Sequence, residues 1–322
     1  FLQLSYSYNR SYSNSDRATY RFDDLADYIL EVSPDFTRPE LPADLAPYLD
    51  NDLSRFSTYR TQRHEAGATF RYVTEKINLN AGVTWLPQQT ELDYKYQGID
   101  TLFTRRVLDY VSPNVRFRYR WSKQTTLNVR YRGSTSQPSM TDLIDITDDS
   151  NPLNIRTGNP GLKPSFSHNI NMNFNTFNMD AQRGIFSNLS GSFTQNSISN
   201  IRKYNESTGG WTTMPENING NWNVFGMFGM NTALKSNQKF TFDTFTNASY
   251  TNNVGYITMG DMKDAQKNTT TNLSLGERLG ARYRNDWLEV GLNGSLNYTF
   301  EKDKLNPKNN QEPYTFAYGG NL

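Results

Sequence analysis

Apolar and polar residues alternate with a period of two over most of the chain. In INLNAGVTWL, Ile77, Leu79, Ala81, Val83 and Trp85 share one face. In VRFRYRW, Val115, Phe117, Tyr119 and Trp121 alternate with Arg116, Arg118 and Arg120. Further on, Ile170, Met172 and Phe174 interleave with Asn169, Asn171, Asn173 and Asn175. In LEVGLNGSLNYTF, Leu288, Val290, Leu292, Leu296, Tyr298 and Phe300 interleave with polar residues and glycine. This periodicity marks strands with one greasy face and one wet face. Helical periodicity is weak everywhere, residues 25–30 being a short exception. The pattern predicts an all-β protein.

The connections sort by length. Short turns are predicted at 74–76, 122–124, 181–184, 235–238 and 284–286, and longer loops at about 11–56, 96–105, 137–165, 202–217, 256–267 and 301–312. Short and long connections alternate along about twelve strands, so in a meander every short turn falls at one end and every long loop at the other. Runs such as 239–255 and 268–283 exceed the roughly 9–11 residues that cross a bilayer at a tilt. Tyr72, Trp121, Tyr283 and Trp287 flank short turns, where an interfacial aromatic belt is expected. A soluble β protein would also alternate, but it seldom sorts its loops this way. The predicted fold is a transmembrane antiparallel up-and-down β-barrel, with residues 1–322 forming part of one barrel domain. Lipid cannot satisfy backbone groups, so such a sheet must close, and its polar face then lines a wet lumen.

Composition narrows this picture. Only 35% of residues are hydrophobic, yet 14% are aromatic, which argues against disorder. Basic and acidic residues number 33 and 32, so no global basic field points to nucleic acid. No apolar run is long enough for a membrane-spanning helix, which says nothing against strands. Cysteine is absent, excluding disulfides and thiolate metal sites. The chain opens on FLQLSYSYNR, a strand already under way, and is read as part of a longer polypeptide.

The stretch from Val129 to Phe174 carries a denser signal. Gln137-Pro138 is followed by Leu143, then by Asn151-Pro152-Leu153, and then by Gly158, Asn159, Pro160, Leu162, Lys163 and Pro164 ahead of the next strand. The two prolines fix φ, and Gly158 is expected to allow a sharp bend. This arrangement resembles the barrel of TonB-dependent outer-membrane receptors, and within them the Bacteroidetes-type outer-membrane β-barrel family. Ser165 departs from the glutamate usual after the final proline of that pattern. The plug domain, the TonB box and the closing C-terminal strand of such receptors are not seen in this sequence.

Candidate chemistry is sparse. Arg116, Arg118, Arg120, Arg130 and Arg132 should share one polar face if the hairpin centres on Lys123, with Arg116 opposite Arg130. Opposed like charges are unfavourable, so this ladder is expected to face plug carboxylates or an anionic substrate. The alternative is solvated lumen charge balanced by neighbouring strands. Asp23, Asp24 and Asp27 in the first long loop, and Asp142, Asp145, Asp148 and Asp149 in the loop before Gly158, are expected to serve external recognition. They lack the ordered spacing of a Ca²⁺ loop, and no metal or cofactor is expected. Only two histidines exist, His64 and His168, on different strands and without a nucleophile grouping. No enzyme activity is expected.

The resemblance implies a receptor embedded in the lipid of a Gram-negative outer membrane. Such a receptor binds a small nutrient with loops and lumen and imports it with energy delivered by the TonB system. The alternative is an adhesin or assembly barrel that binds a partner and transports nothing.

Overall fold

The computed structural model describes residues 1–22, 43–144, 147–149, 151–234, 237–258 and 264–322. Eighteen strands account for almost all of its regular structure. They are β1 (Leu2–Arg17), β2 (Arg55–Val73), β3 (Ile77–Trp85), β4 (Gln88–Tyr96), β5 (Ile99–Val107), β6 (Val111–Arg120), β7 (Thr126–Ser136), β8 (Thr147–Asp148) and β9 (Asn154–Thr157), then β10 (Ser165–Asn178), β11 (Arg183–Gln195), β12 (Ser197–Asn205), β13 (Gly210–Ile218), β14 (Asn221–Leu234), β15 (Asn237–Ile257), β16 (Gln266–Arg284), β17 (Glu289–Asp303) and β18 (Tyr314–Asn321). The chain divides into two compact units, one of residues 1–5, 67–85 and 111–322, the other of residues 6–66 and 86–110.

In the larger unit the strand order is β18-β17-β16-β15-β14-β11-β10-β7-β6-β3-β2, with the start of β1 beside β2. Every registered pair along this path is antiparallel, and each strand lies beside its nearest long neighbour in sequence. The result is an up-and-down meander of twelve strands. Alternation then fixes the faces. Arg130, Asn171, Ser190, Phe225, Ser249 and Ser274 follow one another across six strands on the polar side. Leu127, Phe174, Ser187, Phe228, Thr246 and Glu277 do so on the apolar side. The apolar side is open to its surroundings: Ile170 is 52%, Leu279 58% and Leu292 65% exposed. A contiguous band of this kind is not left facing water by a soluble monomer.

Short and long connections alternate as predicted. Hairpins close after β2, β6, β10, β14 and β16, whereas β8 with β9 and β12 with β13 are excursions inside the long connections. The excursions form a separate four-stranded sheet, β12-β13-β9-β8, with β9 and β13 parallel. Beside it Met140, Ile144, Leu162 and Ile218 are buried, with Pro215 fully enclosed. The long loops thus build a small apolar core of their own.

In the smaller unit β4 pairs antiparallel with the first half of β2 and with β5. Leu92, Tyr96, Val107 and Tyr110 are buried there, and Arg55 lies over the Tyr96 ring at 4.8 Å. Ser54 ties the first connection together by accepting from Thr19 N (2.9 Å) and donating to Thr19 O (3.3 Å).

Two predicted loops are strands instead, and a third is shortened. The loop predicted from about residue 11 starts only after Arg17, because the Tyr and Ser alternation of β1 runs on to that point. Residues 96–105 are mostly the β4–β5 hairpin, which turns on Gln97 (φ 51°) and Gly98 (φ 71°). Two consecutive left-handed residues give the twist of a two-residue hairpin turn. Residues 202–217 likewise belong to the β12–β13 hairpin. The helical expectation at 25–30 lies outside the described residues.

Candidate functional site: an arginine and asparagine wall

Strands β6 and β7 place the five arginines on one face, as the sequence predicts. Arg116 stands directly opposite Arg130, Arg132 opposite Asn114, Arg118 opposite Asn128 and Arg120 opposite Thr126. The strands on either side add amides: Asn80 and Asn78 lie beside Arg116 and Arg118, and Asn171 and Asn169 beside Arg130 and Arg132. All five guanidinium-bearing residues are exposed. Arg118 Nε donates to Asn128 Oδ1 at 2.7 Å. Among the described residues none of the five forms an ion pair. The charge is held by amides, which solvate it and do not neutralise it.

The amides are themselves ordered. Asn80 Nδ2 donates to Asn78 Oδ1 at 2.9 Å, Asn173 Nδ2 to Asn171 Oδ1 at 2.6 Å, and Asn188 Nδ2 to Asn173 Oδ1 at 2.7 Å. Arg116, Arg118 and Arg130, with Asn78, Asn80, Asn171 and Asn173, line a cleft of about 320 Å³. A row of fixed carbonyl and amide dipoles between cations can hold anionic oxygens bidentately, with Arg supplying the fork. It offers no nucleophile and no general base.

Sequence reasoning missed the continuation of this wall. Arg278, Arg282 and Asp243 lie on the same polar side of β15 and β16, and Phe177, Phe186 and Phe245 sit among them. The signal was present: Phe177 is in phase with Asn175, and Phe245 with Asn247. His168 falls on the apolar side of the larger unit. His64 Nδ1 is 2.8 Å from Tyr6 Oη in the smaller unit, and His168 Nδ1 is 2.9 Å from Tyr131 Oη in the larger.

The Gly158–Pro164 segment is a clamp. Gly158 does not adopt a left-handed φ, which corrects the expected bend. A Cβ there would meet Ile144 O at 1.9 Å, so the glycine is required by close backbone approach. Asn159 N donates to Asp142 O (2.6 Å), and Asn159 Nδ2 donates to Pro215 O (3.0 Å). Lys163 N donates to Asn217 Oδ1 (2.7 Å), and Asn217 Nδ2 donates to Lys163 O (2.9 Å). Leu162 is buried. Pro160 sits in a turn closed by Leu162 N donating to Asn159 O (3.2 Å), and Pro164 leads directly into β10.

The loop carboxylates expected to serve recognition lie only partly among the described residues. Ser139 caps the helical turn Met140–Leu143 by accepting from Asp142 N, its hydroxyl donates to Asp142 Oδ2, and Asp142 pairs with Arg156 at 3.3 Å, so Asp142 is engaged within its own loop. Asp148 lies in β8 opposite Arg156, and Asp149 follows it. Asp23, Asp24, Asp27 and Asp145 lie outside the described residues. No cluster of metal-ligating residues occurs among those described.

Residues 40–320 match the model of the outer membrane protein beta-barrel family. No curated protein sequence matches. Among solved structures, the copper transporter OprC is similar, with 12% identity and a TM-score of 0.44 over 92% of this chain and 48% of OprC. A mutant of the ferric enterobactin receptor PfeA from Pseudomonas aeruginosa follows at 10% identity and 0.38, over 92% of this chain and 53% of the receptor. The FrpB iron transporter from Neisseria meningitidis is 8% identical at 0.38, covering 99% and 53%. The chain spans about half the length of these structures.

The fold and the family match define an integral outer-membrane β-barrel protein. The chain belongs to the outer membrane protein beta-barrel family. In such a barrel the apolar face of the sheet meets lipid and the polar face, which here carries the arginine wall, turns inward.

Proposed function

We propose that residues 1–322 form part of one barrel domain of a TonB-dependent receptor in a Gram-negative outer membrane, of the kind found in Bacteroidetes. It binds a small nutrient outside and imports it with TonB-derived energy. The observation that carries this reading is the wall around Arg116 and Arg130, which forms no ion pair among the described residues. A lumen that only stabilised a barrel would gain nothing from opposing like charges on adjacent strands. A wall awaiting an anionic guest, either substrate or plug carboxylates, gains charge-assisted hydrogen bonds when that guest arrives. Asp148 and Asp149, with Asp23, Asp24, Asp27 and Asp145, supply external recognition on this reading, and Asp142 organises the loop that presents them. Nothing in the arrangement makes or breaks a covalent bond.

The test is nutrient-limited growth of cells producing the native protein, with and without TonB, and with Arg116→Ala and Arg130→Ala combined. TonB-dependent growth that falls in the double variant supports the reading. Growth indifferent to both changes would favour an adhesin or assembly barrel.

A further inference from the structure

The lipid-facing side carries an acidic residue that lipid does not suit. Glu277 lies on the apolar face of β16, between Leu275 and Leu279 and opposite Thr246 and Leu296. The short turn begins after Arg284, seven residues on, which places Glu277 about 23 Å along the strand from that end. With the tilt of barrel strands this is near the middle of the hydrocarbon. Thr244 Oγ1 donates to Glu277 Oε1 at 2.6 Å, and Thr246 Oγ1 donates to Oε2 at 2.5 Å. The two hydroxyls hold both carboxylate oxygens in place without supplying a countercharge. No ion pair of Glu277 occurs among the described residues.

The surface beside this carboxylate is hollow. Met230, Phe242, Leu279, Ala281, Leu292 and Tyr318 line an apolar cleft of about 690 Å³, with Thr244 at its edge. Gly294, opposite Leu279, leaves its floor open. An apolar cleft beside a carboxylate that is held by Thr244 and lies two residues from Leu279 is complementary to an apolar segment that carries one cation. An ionisable residue at membrane depth ordinarily marks a function and has a named partner.

We infer that Glu277, Thr244 and Thr246, with the adjoining cleft, form a docking site within the membrane for a second protein. Its membrane-embedded segment presents apolar side chains to the cleft and a lysine or arginine to Glu277. A second copy of this chain is the poorer occupant, because a two-fold contact would oppose Glu277 to itself. The inference rests on membership of the outer-membrane barrel family and is independent of what the lumen carries.

The test places a photo-activated cross-linker at Leu279 in the full-length protein within native outer membranes. The expected product is a discrete protein adduct whose cross-linked peptide holds a lysine or arginine in a membrane span. Glu277→Gln and Glu277→Leu should each reduce it at least about tenfold, as loss of one partner of a buried charge pair requires. Exchanging the charges, with Glu277→Lys here and Glu in place of the partner's cation, should restore it. Both neutral variants place tolerated residues on a lipid-facing position, and heat-modifiable migration on gels checks that they fold. Adducts to lipid alone, adducts to a second copy of this chain, or a protein adduct indifferent to Glu277→Leu would overturn the inference.

Discussion

Arg116 and Arg130 face each other across β6 and β7 with amides, and no carboxylate, on the strands to either side. Opposed like charges on adjacent strands cost up to about 1 kcal/mol. Arg130→Asn is therefore expected to raise barrel stability by a fraction of that amount in urea unfolding from lipid vesicles. The gain should shrink as salt screens the pair. A variant less stable than the parent at low salt would show that the wall is already neutralised.

Gly158 is fixed by the Ile144 carbonyl and not by its backbone angle. Gly158→Ala must push the two segments apart, an overpacking cost of about 1–3 kcal/mol or more. The damage should stay in the external loops, where Leu162 and Ile144 are buried. Limited proteolysis is expected to cut near residues 144–165 while the membrane-embedded strands stay protected.

Asn217 closes the same clamp from β13, accepting from Lys163 N and donating to the carbonyls of Lys163 and Asn196. Asn217→Ala removes three hydrogen bonds, exposed at Lys163 and part-buried at Asn196, at about 0.5–1.5 kcal/mol each. Hydrogen exchange should speed up at Lys163 and leave β10 beyond Ile170 unchanged.

Tyr110 is buried in the smaller unit, and its hydroxyl has no hydrogen-bond partner among the described residues. Burial pushes its pKa up to about 12, Asp109 adding to the shift and Arg105 opposing it. Because the folded value is raised, the neutral phenol favours the folded state. That contribution is complete below the unfolded value of about 10 and fades as pH climbs through about 12. Tyr110→Phe should abolish this alkaline loss without lowering stability at neutral pH. Unfolding midpoints compared at neutral and alkaline pH check it.

How much of this was legible in the sequence depended on where each signal lies. The meander and its turn order could be read because Leu79, Val83, Phe117 and Met172 alternate with polar residues in a period that only a strand satisfies. The Arg116–Arg130 register followed from the short turn about Lys123, since turn length sets pairing. The β4–β5 hairpin was hidden because Gln97-Gly98 lacks the Asn or Asp that usually marks such a turn. The role of Gly158 was equally hidden, because the carbonyl it accommodates lies fourteen residues earlier, at Ile144. Glu277 was not legible because only the register places it on the apolar side.

The central claim is that one face of this sheet looks into a lumen and the other into lipid. The chain has no cysteine, so Arg130→Cys and Val129→Cys each introduce a single thiol on neighbouring positions of β7. In intact outer membranes a water-soluble maleimide is predicted to label Arg130→Cys, and a lipid-dissolved one Val129→Cys. Equal labelling of both by the water-soluble reagent would contradict the barrel. The reverse preference would contradict the placement of the arginine wall.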